Sequence, residues 1–197
     1  MFQLFETIRV VDGVARNLAL HDERMNRSRM NLFGKTDFLK LSDYIVVPDH
    51  DKDKFNRCRI IYNTSIISVE FSPYIAANIR TLKMVDASTL VYDYKYLDRS
   101  RLTALIDKSI ADDILIIKKR CVTDASFANI VFTDGVKWIT PDTPLLCGTM
   151  RELLLRKGTI KEARITIDNL ARFTHFRLIN ALLGFDGPLL PMSNIIS

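Results

Sequence analysis

The stretch FETIRVVDGVARNLALHDERMNRS, residues 5–28, predicts a strand, a tight turn and a helix in close succession. Residues 2–11 are rich in the aromatic and β-branched side chains that favour strands. Asp12-Gly13 is a strong signal for a two-residue hairpin turn, so residues 14–20 are expected to return as a second strand. Residues 21–32 are predicted to be helical, and Gly34 stands where a left-handed residue commonly ends a helix.

A second pair of strands is predicted for CRIIYN and IISVEF, which flank a polar turn at residues 63–65. In the first of these strands, side chains alternate between the two faces of the sheet, so Arg59 and Ile60 lie on opposite faces. The first half of the chain is therefore expected to form strands around a helix.

The second half of the chain is predicted to contain a helix, a β-meander and a mixed C-terminal part. Apolar residues at 102, 105, 106 and 110 recur at helical spacing and predict an amphipathic helix over residues 98–111. The expected strands of the meander are ILII (114–117), residues 122–132, and VKWIT (136–140) after the Asp134-Gly135 turn. The elements expected after them are a helix over 149–157 closed by Gly158, a strand in ARITI, a short helix from about Asp168 and a strand in FRLINAL.

These elements predict an α+β protein built from two small lobes. The pattern changes between Met84 and Asp93, so the boundary is expected there. The predicted parts are an N-terminal α+β lobe over residues 1–86, a linker over 87–93 and a C-terminal β-rich lobe over 94–197.

Composition narrows the classes of protein to consider. The chain has 197 residues, 48% of them apolar and 26% charged, with a mild net charge of +5. It has no apolar run near the ~18 residues of a membrane span, and its start has no basic region of a secretory signal, so a cytoplasmic location is expected. The three dispersed cysteines favour reduced thiols over disulfides, and the dispersed histidines (His21, His50 and His175) give no support to a metal site. No nucleic-acid or membrane partner is predicted.

The segment VTDASFANIVF, residues 122–132, places an acid inside an otherwise apolar strand. A buried carboxylate without a partner is costly, so Asp124 is expected to have a specific partner.

Several segments, taken in order, resemble the class IV aminotransferase family, the pyridoxal-phosphate enzymes of fold type IV. Family members show F-E-T-I/V-R, a D/N-G hairpin and then L-x-x-H-x-x-R followed by a serine. Three further segments resemble the family: KYLDR (95–99), VTDASFANIVF (122–132) and ITPDTPLLCGTMRELLL (139–155). The likeness is nearest to the aminodeoxychorismate lyase and D-amino acid aminotransferase-like branch. The matching residues of the opening segment are Phe5, Glu6, Thr7, Ile8, Arg9, Gly13, Leu18, His21, Arg24 and Ser28.

The resemblance implies two α/β lobes with the pyridoxal 5'-phosphate site between them, and a role for each site residue. Lys95 would be the Schiff-base lysine and the catalytic acid and base. Asp124 would face the pyridine nitrogen and keep it protonated, which makes the ring a better electron sink. The phosphate would be bound by Arg59 and by the helix start at Thr149 and Met150, with Asn180 on the same side.

The resemblance also implies a pocket on the first strand, where Glu6, Thr7 and Arg9 could lie near the substrate carboxylate or pack at the edge of the core. His21 and Arg24 are interpreted as structural residues of the helix.

The chain departs from the family pattern at identifiable positions. Asp124 replaces the usual glutamate and is shorter by one methylene, and Asp98 replaces the usual asparagine. Thr149-Met150 stands in place of the more frequent hydrophobic-Thr pair. Relative to the family, the chain is expected to be shortened at both termini.

Three functions remain open from the sequence. The first is a lyase that eliminates pyruvate from 4-amino-4-deoxychorismate to leave 4-aminobenzoate, a folate precursor. The second is an aminotransferase for D-amino or branched-chain amino acids, and the third is a degenerate family member without catalysis. The resemblance further implies an amino-acid-type substrate and a homodimer.

Overall fold

The computed structural model describes residues 2–49 and 56–197, and the chain divides into two units. The first unit comprises Met1–Ala76 and Tyr94–Asp98, and the second comprises Ala77–Asp93 and Arg99–Ser197. His50, one of the dispersed histidines, lies outside the described residues.

The units differ from the predicted lobes because long-range backbone pairing decides the division. Residues 94–98 belong to the first unit: the N–H of Phe5 donates to the carbonyl of Lys95 at 3.0 Å, and the N–H of Leu97 donates to the carbonyl of Gln3 at 2.9 Å. The strand Leu82–Asp86, predicted to be in the first lobe, pairs in parallel with the strand Asp113–Lys118 of the second unit.

The described part of the first unit contains a four-stranded antiparallel sheet in the order β2-β1-β3-β4, covered on one face by a helix. Its elements are β1 (Leu4–Val11), β2 (Val14–Ala15), α1 (Leu18–Phe33), a 3₁₀ turn (Leu41–Asp43), β3 (Asn56–Tyr62) and β4 (Ile66–Pro73).

The predicted hairpin between β1 and β2 is confirmed, but its second strand is short. Asp12 and Gly13 both have positive φ, 51° and 71°, as a type I′ turn requires. The predicted strand over residues 14–20 is wrong beyond Ala15, because Asn17 adopts a left-handed conformation and the helix begins at Leu18. At the other end of α1, Gly34 has φ 67° and its N–H donates to the carbonyl of Met30, so the predicted cap is confirmed.

Strand alternation separates the two faces of this sheet. Leu4, Ile8, Ile60 and Tyr62 are fully buried in the core that β1 and β3 form with Met25 of α1. The intervening residues point to the opposite face, and in the register of β1 with β3 they form the pairs Phe5 with Ile61, Thr7 with Arg59, and Arg9 with Arg57.

A buried ionic cluster joins β1 to α1 on the core face. Glu6 and His21 are fully buried, with His21 Nδ1 2.6 Å from Glu6 Oε2, and Arg24 Nε donates to Glu6 Oε1 at 3.0 Å. Burial opposes the ionised form of Glu6, but Arg24 and the hydrogen bond from His21 outweigh it and lower the pKa of Glu6 from 4.5 to about 2. His21 and Arg24 pack and pair with Glu6, as the structural interpretation predicts, and Glu6 lies on the face opposite to Thr7 and Arg9.

The second unit contains a larger mixed sheet and two helices among its described elements. Its main strand order is β10-β9-β8-β7-β6-β5-β13, and β11 pairs with β8 and β12. The bounds are β5 (Leu82–Asp86), α2 (Ser100–Thr103), β6 (Asp113–Lys118), β7 (Cys121–Ala125), β8 (Asn129–Thr133), β9 (Trp138–Pro141), α3 (Thr149–Arg156), β10 (Lys161–Ala163), a 3₁₀ turn (Leu170–Arg172), β11 (His175–Ile179), β12 (Leu190–Pro191), a 3₁₀ turn (Met192–Asn194) and β13 (Ile195–Ile196).

The predicted β-meander is confirmed, since β6, β7, β8 and β9 pair antiparallel in sequence order. The helix over residues 149–157 is also confirmed, within a residue of its end. The strand predicted in ARITI (163–167) is wrong beyond its first residue, because β10 ends at Ala163, and the helix predicted near Asp168 is a 3₁₀ turn.

The predicted amphipathic helix over residues 98–111 is wrong except for its first turn, Ser100–Thr103. Asp107 accepts hydrogen bonds from the N–H and hydroxyl of Ser109, at 3.0 and 2.6 Å. Such local bonds compete with helix formation. Leu102 is buried, whereas Ile110 is about half exposed, so the apolar spacing does not form a continuous buried stripe.

We predict that Arg24→Ala will lower the free energy of unfolding by roughly 3 to 5 kcal/mol, because it leaves the Glu6 carboxylate buried without its cationic partner. The matched control is Arg27→Ala, which removes an exposed arginine of the same helix and should change stability by less than about 0.5 kcal/mol.

Urea unfolding followed by circular dichroism measures both variants. The native pKa of Glu6 is lowered, so the contribution of this cluster should be complete above pH 4.5 and be lost as pH falls towards 2. Equal effects of the two variants at neutral pH would contradict the account of the cluster.

Candidate active site

Lys95 lies in the segment that pairs with the start of β1. It is half-buried, its carbonyl accepts the N–H of Phe5, and its Nζ lies 4.5 Å from the centre of the Phe5 ring. Ammonium groups are attracted to the face of an aromatic ring at such distances. The backbone of β1 and the Phe5 ring therefore both position the lysine side chain.

Arg59 contacts the same ring from β3. Its Cζ lies 5.0 Å from the centre of Phe5, and its Nε is buried without a hydrogen-bond partner among the described residues. A buried N–H without an acceptor is costly, and an arginine in this state is well suited to bind an anion. The first unit thus brings Lys95 and Arg59 together on Phe5.

The buried cluster behind β1 is electrostatically coupled to Lys95. The pKa of His21 is lowered from 6.5, first by burial and further by the positive charges of Arg24 and Lys95, although Glu6 opposes the shift. His21 is therefore neutral at neutral pH, and the carboxylate of Glu6 is the negative charge of the cluster.

In the second unit, Asp124 has the specific partners that its burial demands. Only 4% of its surface is exposed; its Oδ1 accepts Asn129 Nδ2 at 2.7 Å and its Oδ2 accepts the N–H of Leu146 at 2.9 Å. Burial raises the pKa of Asp124 to about 6, while these hydrogen bonds and the charge of Arg151 limit the rise. A cation placed against this carboxylate would favour its ionised form.

Thr149 and Met150 begin α3 and are both buried. Gly148 is the N-cap, and its carbonyl accepts the N–H of Glu152 at 3.0 Å. The start of a helix favours anions through its backbone N–H groups and dipole. The next residue, Arg151, is buried and binds the carbonyl of Pro141 and the carboxylate of Glu162. Arg151 therefore anchors α3 to β9 and β10.

Asn180 shapes a turn at the end of β11. Its Oδ1 accepts the N–H groups of Leu182 and Leu183, both at 2.9 Å, and its Nδ2 lies 3.4 Å from the carbonyl of Phe127. The side chain thus reaches the loop between β7 and β8. Its predicted place on the phosphate side stays a prediction.

Sequence reasoning missed residues that hold the β7–β8 loop. Ser126 donates its N–H to Asp113 Oδ2 at 3.2 Å, and its carbonyl accepts Arg99 Nη2 at 2.5 Å. Arg99 could have been suspected from its place in KYLDR, four residues after Lys95. Asp113 had no such signal, although it is 2% exposed and burial raises its pKa.

Other kinds of site find no support in the described parts of the chain. Residues 2–49 and 56–197 contain no group of three or more His, Cys, Asp or Glu arranged to bind a metal ion. Cys58, Cys121 and Cys147 form no disulfide bonds with one another. Among the same residues, no helix is long and apolar enough to cross a membrane.

A family model for amino-transferase class IV matches residues 3–186 of the chain. The chain belongs to the class IV aminotransferase family. The family consists of pyridoxal-phosphate-dependent enzymes, so the predicted family, the fold type IV architecture and the enzyme class are confirmed.

Individual relatives are similar to the chain over most of its length. An uncharacterized Haemophilus influenzae protein is 37% identical over 187 residues, which is 93% of this chain and 100% of that protein. A crystal structure from Haemophilus somnus, provisionally described as a 4-amino-4-deoxychorismate lyase, is 35% identical with a TM-score of 0.86, covering 94% of this chain and 98% of the other. A hypothetical aminotransferase from Mycobacterium tuberculosis in its pyridoxal-phosphate-bound form has a TM-score of 0.76 at 17% identity, covers 98% and 81% of the two chains, and shows the shared fold.

We predict that Asp124 makes the cofactor-free protein less stable as pH rises. Its pKa is about 6 in the folded protein and near 3.8 when unfolded, so the folded state binds the proton more tightly. Stability should therefore fall between pH 3.8 and 6, by on the order of 3 kcal/mol from this group.

Urea unfolding at a series of pH values tests this prediction. Asp124→Asn should remove this decline, whereas Asp43→Asn, at an exposed position, should retain it. If wild type and Asp124→Asn show the same pH dependence, the assigned environment of Asp124 is wrong.

Proposed function

We propose that the chain binds pyridoxal 5'-phosphate and uses it for catalysis, with Lys95 as the residue that holds the cofactor covalently. The observation that carries this proposal is the pairing of Lys95 with Arg59 on the Phe5 ring, where Arg59 Nε is buried and has no acceptor among the described residues. A phosphate group would supply the missing acceptor, and two parallel N–H bonds to it suit a guanidinium. When bound, the cofactor supplies an electron sink for a carbanion at the substrate Cα.

We assign the remaining cofactor contacts to residues of the second unit. Asp124 is assigned to the pyridine nitrogen, where its carboxylate would hold a proton on that atom. The raised pKa of Asp124 supports the role, because a buried carboxylate of this kind is stabilised by an adjacent cation. Thr149 and Met150 are assigned to the phosphate through the start of α3, with Asn180 nearby.

Lys95 is assigned the proton transfers at the substrate Cα. Its amine would remove the Cα proton and return a proton later, acting as general base and then as general acid. Lys95 is half-buried against the Phe5 ring, which Arg59 also contacts. The same lysine is therefore assigned both the covalent attachment of the cofactor and the proton transfers.

We propose 4-amino-4-deoxychorismate as the substrate, eliminated to 4-aminobenzoate and pyruvate. The 35% identity with the Haemophilus somnus protein supports this reaction. The sheet face that carries Phe5 and Arg59 also carries Arg9 and Arg57, directly opposite each other in register. Such a cationic face suits a substrate with two carboxylates, as this one has, better than a monocarboxylate amino acid.

The alternatives are an aminotransferase for D-amino or branched-chain amino acids and a degenerate member without catalysis. The same lysine, carboxylate and phosphate contacts would serve amino-group transfer. The proposal also includes an amino-acid-type small-molecule substrate, a role in forming a folate precursor, a cytoplasmic location and a homodimeric assembly.

The function is tested by comparing two products from the purified protein with added cofactor. We expect 4-aminobenzoate and pyruvate to form in equal amounts from 4-amino-4-deoxychorismate, with little transfer of an amino group from D-alanine or L-leucine to a 2-oxo acid. Transfer without 4-aminobenzoate would favour the aminotransferase, and neither product would favour the degenerate member.

Arg59 and Arg57 offer a matched pair of variants for the phosphate contact, since they lie two residues apart on one face of β3. Arg59→Ala should weaken cofactor binding at least ~10-fold, because a charge-assisted hydrogen bond to an anion contributes about 1.5 to 3 kcal/mol. Arg57→Ala should change the dissociation constant less than about 2-fold. Spectrophotometric titration with pyridoxal phosphate measures both constants, and equal effects would contradict the assignment of Arg59.

A further inference from the structure

The side chain of Asn129 is buried at the start of β8, and both its amide nitrogen and its amide oxygen contact neighbouring groups. Its Nδ2 donates to Asp124 Oδ1 at 2.7 Å and to the carbonyl of Leu146 at 2.8 Å. Its Oδ1 fills the space beside the Cα of Gly148, where a Cβ would come within 1.9 Å of that oxygen. One amide thus contacts the carboxylate, the loop and the N-cap of α3.

Gly148 is explained by this contact rather than by its backbone conformation. Its φ of −73° and ψ of 143° are open to any residue, so conformational freedom is not what requires a glycine. A Cβ would also approach Asn129 Cγ to 3.1 Å, so an alanine would displace the buried amide. Asn129 and Gly148 are therefore fitted to each other across 19 positions of the chain.

Leu146 completes the connection. Its N–H donates to Asp124 Oδ2 and its carbonyl accepts Asn129 Nδ2, so both peptide groups on either side of this residue are bound to the same pair of side chains. Only Cys147 and Gly148 separate Leu146 from the first turn of α3. Arg151, in that first turn, is the charged group whose field also acts on Asp124.

We infer that Asn129 is a positioning residue that fixes the Asp124 carboxylate and the start of α3 in one arrangement. The inference rests on the proposed function, in which Asp124 serves the pyridine nitrogen and the start of α3 serves the phosphate. One side chain then sets the position of both groups that the second unit offers to the cofactor. Asn129 is also the register partner of Asp124 across β7 and β8, so its hydrogen bond holds the shorter aspartate side chain in place.

The first test is a double-variant cycle in cofactor-free protein, with Asn129→Ala, Gly148→Ala and the combination. Gly148→Ala alone should lower the Tm by at least ~5 °C, because the new methyl group overlaps the buried amide. In the Asn129→Ala background, where the amide is absent, the same change should lower the Tm by less than half as much. Additive effects would overturn the inferred fit between the two residues.

The second test asks whether Asn129 positions groups for the cofactor or only stabilises the fold. Asn129→Ala should weaken pyridoxal phosphate binding at least ~10-fold and shift the absorbance maximum of the bound cofactor, which reports the state of the ring nitrogen. The control is Thr140→Val, which removes a buried hydrogen bond from Thr140 Oγ1 to Ile130 in the same sheet without touching Asp124. Thr140→Val should leave the spectrum unchanged and the dissociation constant within about 2-fold of wild type.

The outcomes separate this inference from the proposed function. Equal spectral and binding effects of Asn129→Ala and Thr140→Val would overturn the positioning role while leaving the function intact. A wild-type protein that binds no pyridoxal phosphate would overturn the function and with it the role of Asn129 at the cofactor. The double-variant cycle would still decide whether Asn129 and Gly148 are fitted to each other.

Discussion

Burial of the Asp124 carboxylate is the constraint on which the proposed site of the second unit depends. Both of its oxygens accept hydrogen bonds, from Asn129 and from the N–H of Leu146, and burial still raises its pKa to about 6. The carboxylate is therefore held in place yet remains energetically suited to an additional cation. The hydrogen bond from the N–H of Leu146 links Asp124 to the loop before α3. The position of the helix start therefore depends on the same buried carboxylate. The partners that the sequence leads us to expect for this buried acid are, within the protein, Asn129 and the backbone N–H of Leu146.

In the first unit, the buried carboxylate of Glu6 has a charged partner within the protein. Glu6 has an arginine and a neutral histidine as partners, so its pKa falls to about 2 and the cluster stabilises the contact of β1 with α1. On the other face of β1, Arg59 retains a buried Nε without an acceptor among the described residues. The Glu6 carboxylate thus has its charged partner on the core face of the sheet, whereas the opposite face carries Arg59 beside Lys95 on the Phe5 ring. This asymmetry is the physical basis for assigning packing to Glu6 and ligand binding to Arg59.

Features that depend on local chemistry could be predicted from the sequence. The Asp12-Gly13 turn and the Gly34 cap follow from the conformational freedom of a few residues, and the strand alternation around Arg59 follows from its period of two. The helix predicted over residues 98–111 failed because Asp107 and Ser109 form hydrogen bonds that a count of apolar spacing ignores. The division into units, and the fit of Asn129 to Gly148, depend on pairing between distant segments. The site residues themselves came from the resemblance to the family, and their roles stay predictions.

The central claim is that Lys95 holds pyridoxal phosphate, and covalent trapping tests it most directly. The purified protein is incubated with the cofactor, reduced with borohydride, digested and mapped by mass spectrometry, alongside Lys95→Ala and a Lys157→Ala variant at an exposed position. The account predicts a yellow protein before reduction and, after reduction, the cofactor fixed on the peptide that contains Lys95. It also predicts no specific labelling of Lys95→Ala and normal labelling of Lys157→Ala. A wild-type protein that stays colourless with the cofactor before reduction, or a label fixed on another lysine, would contradict it.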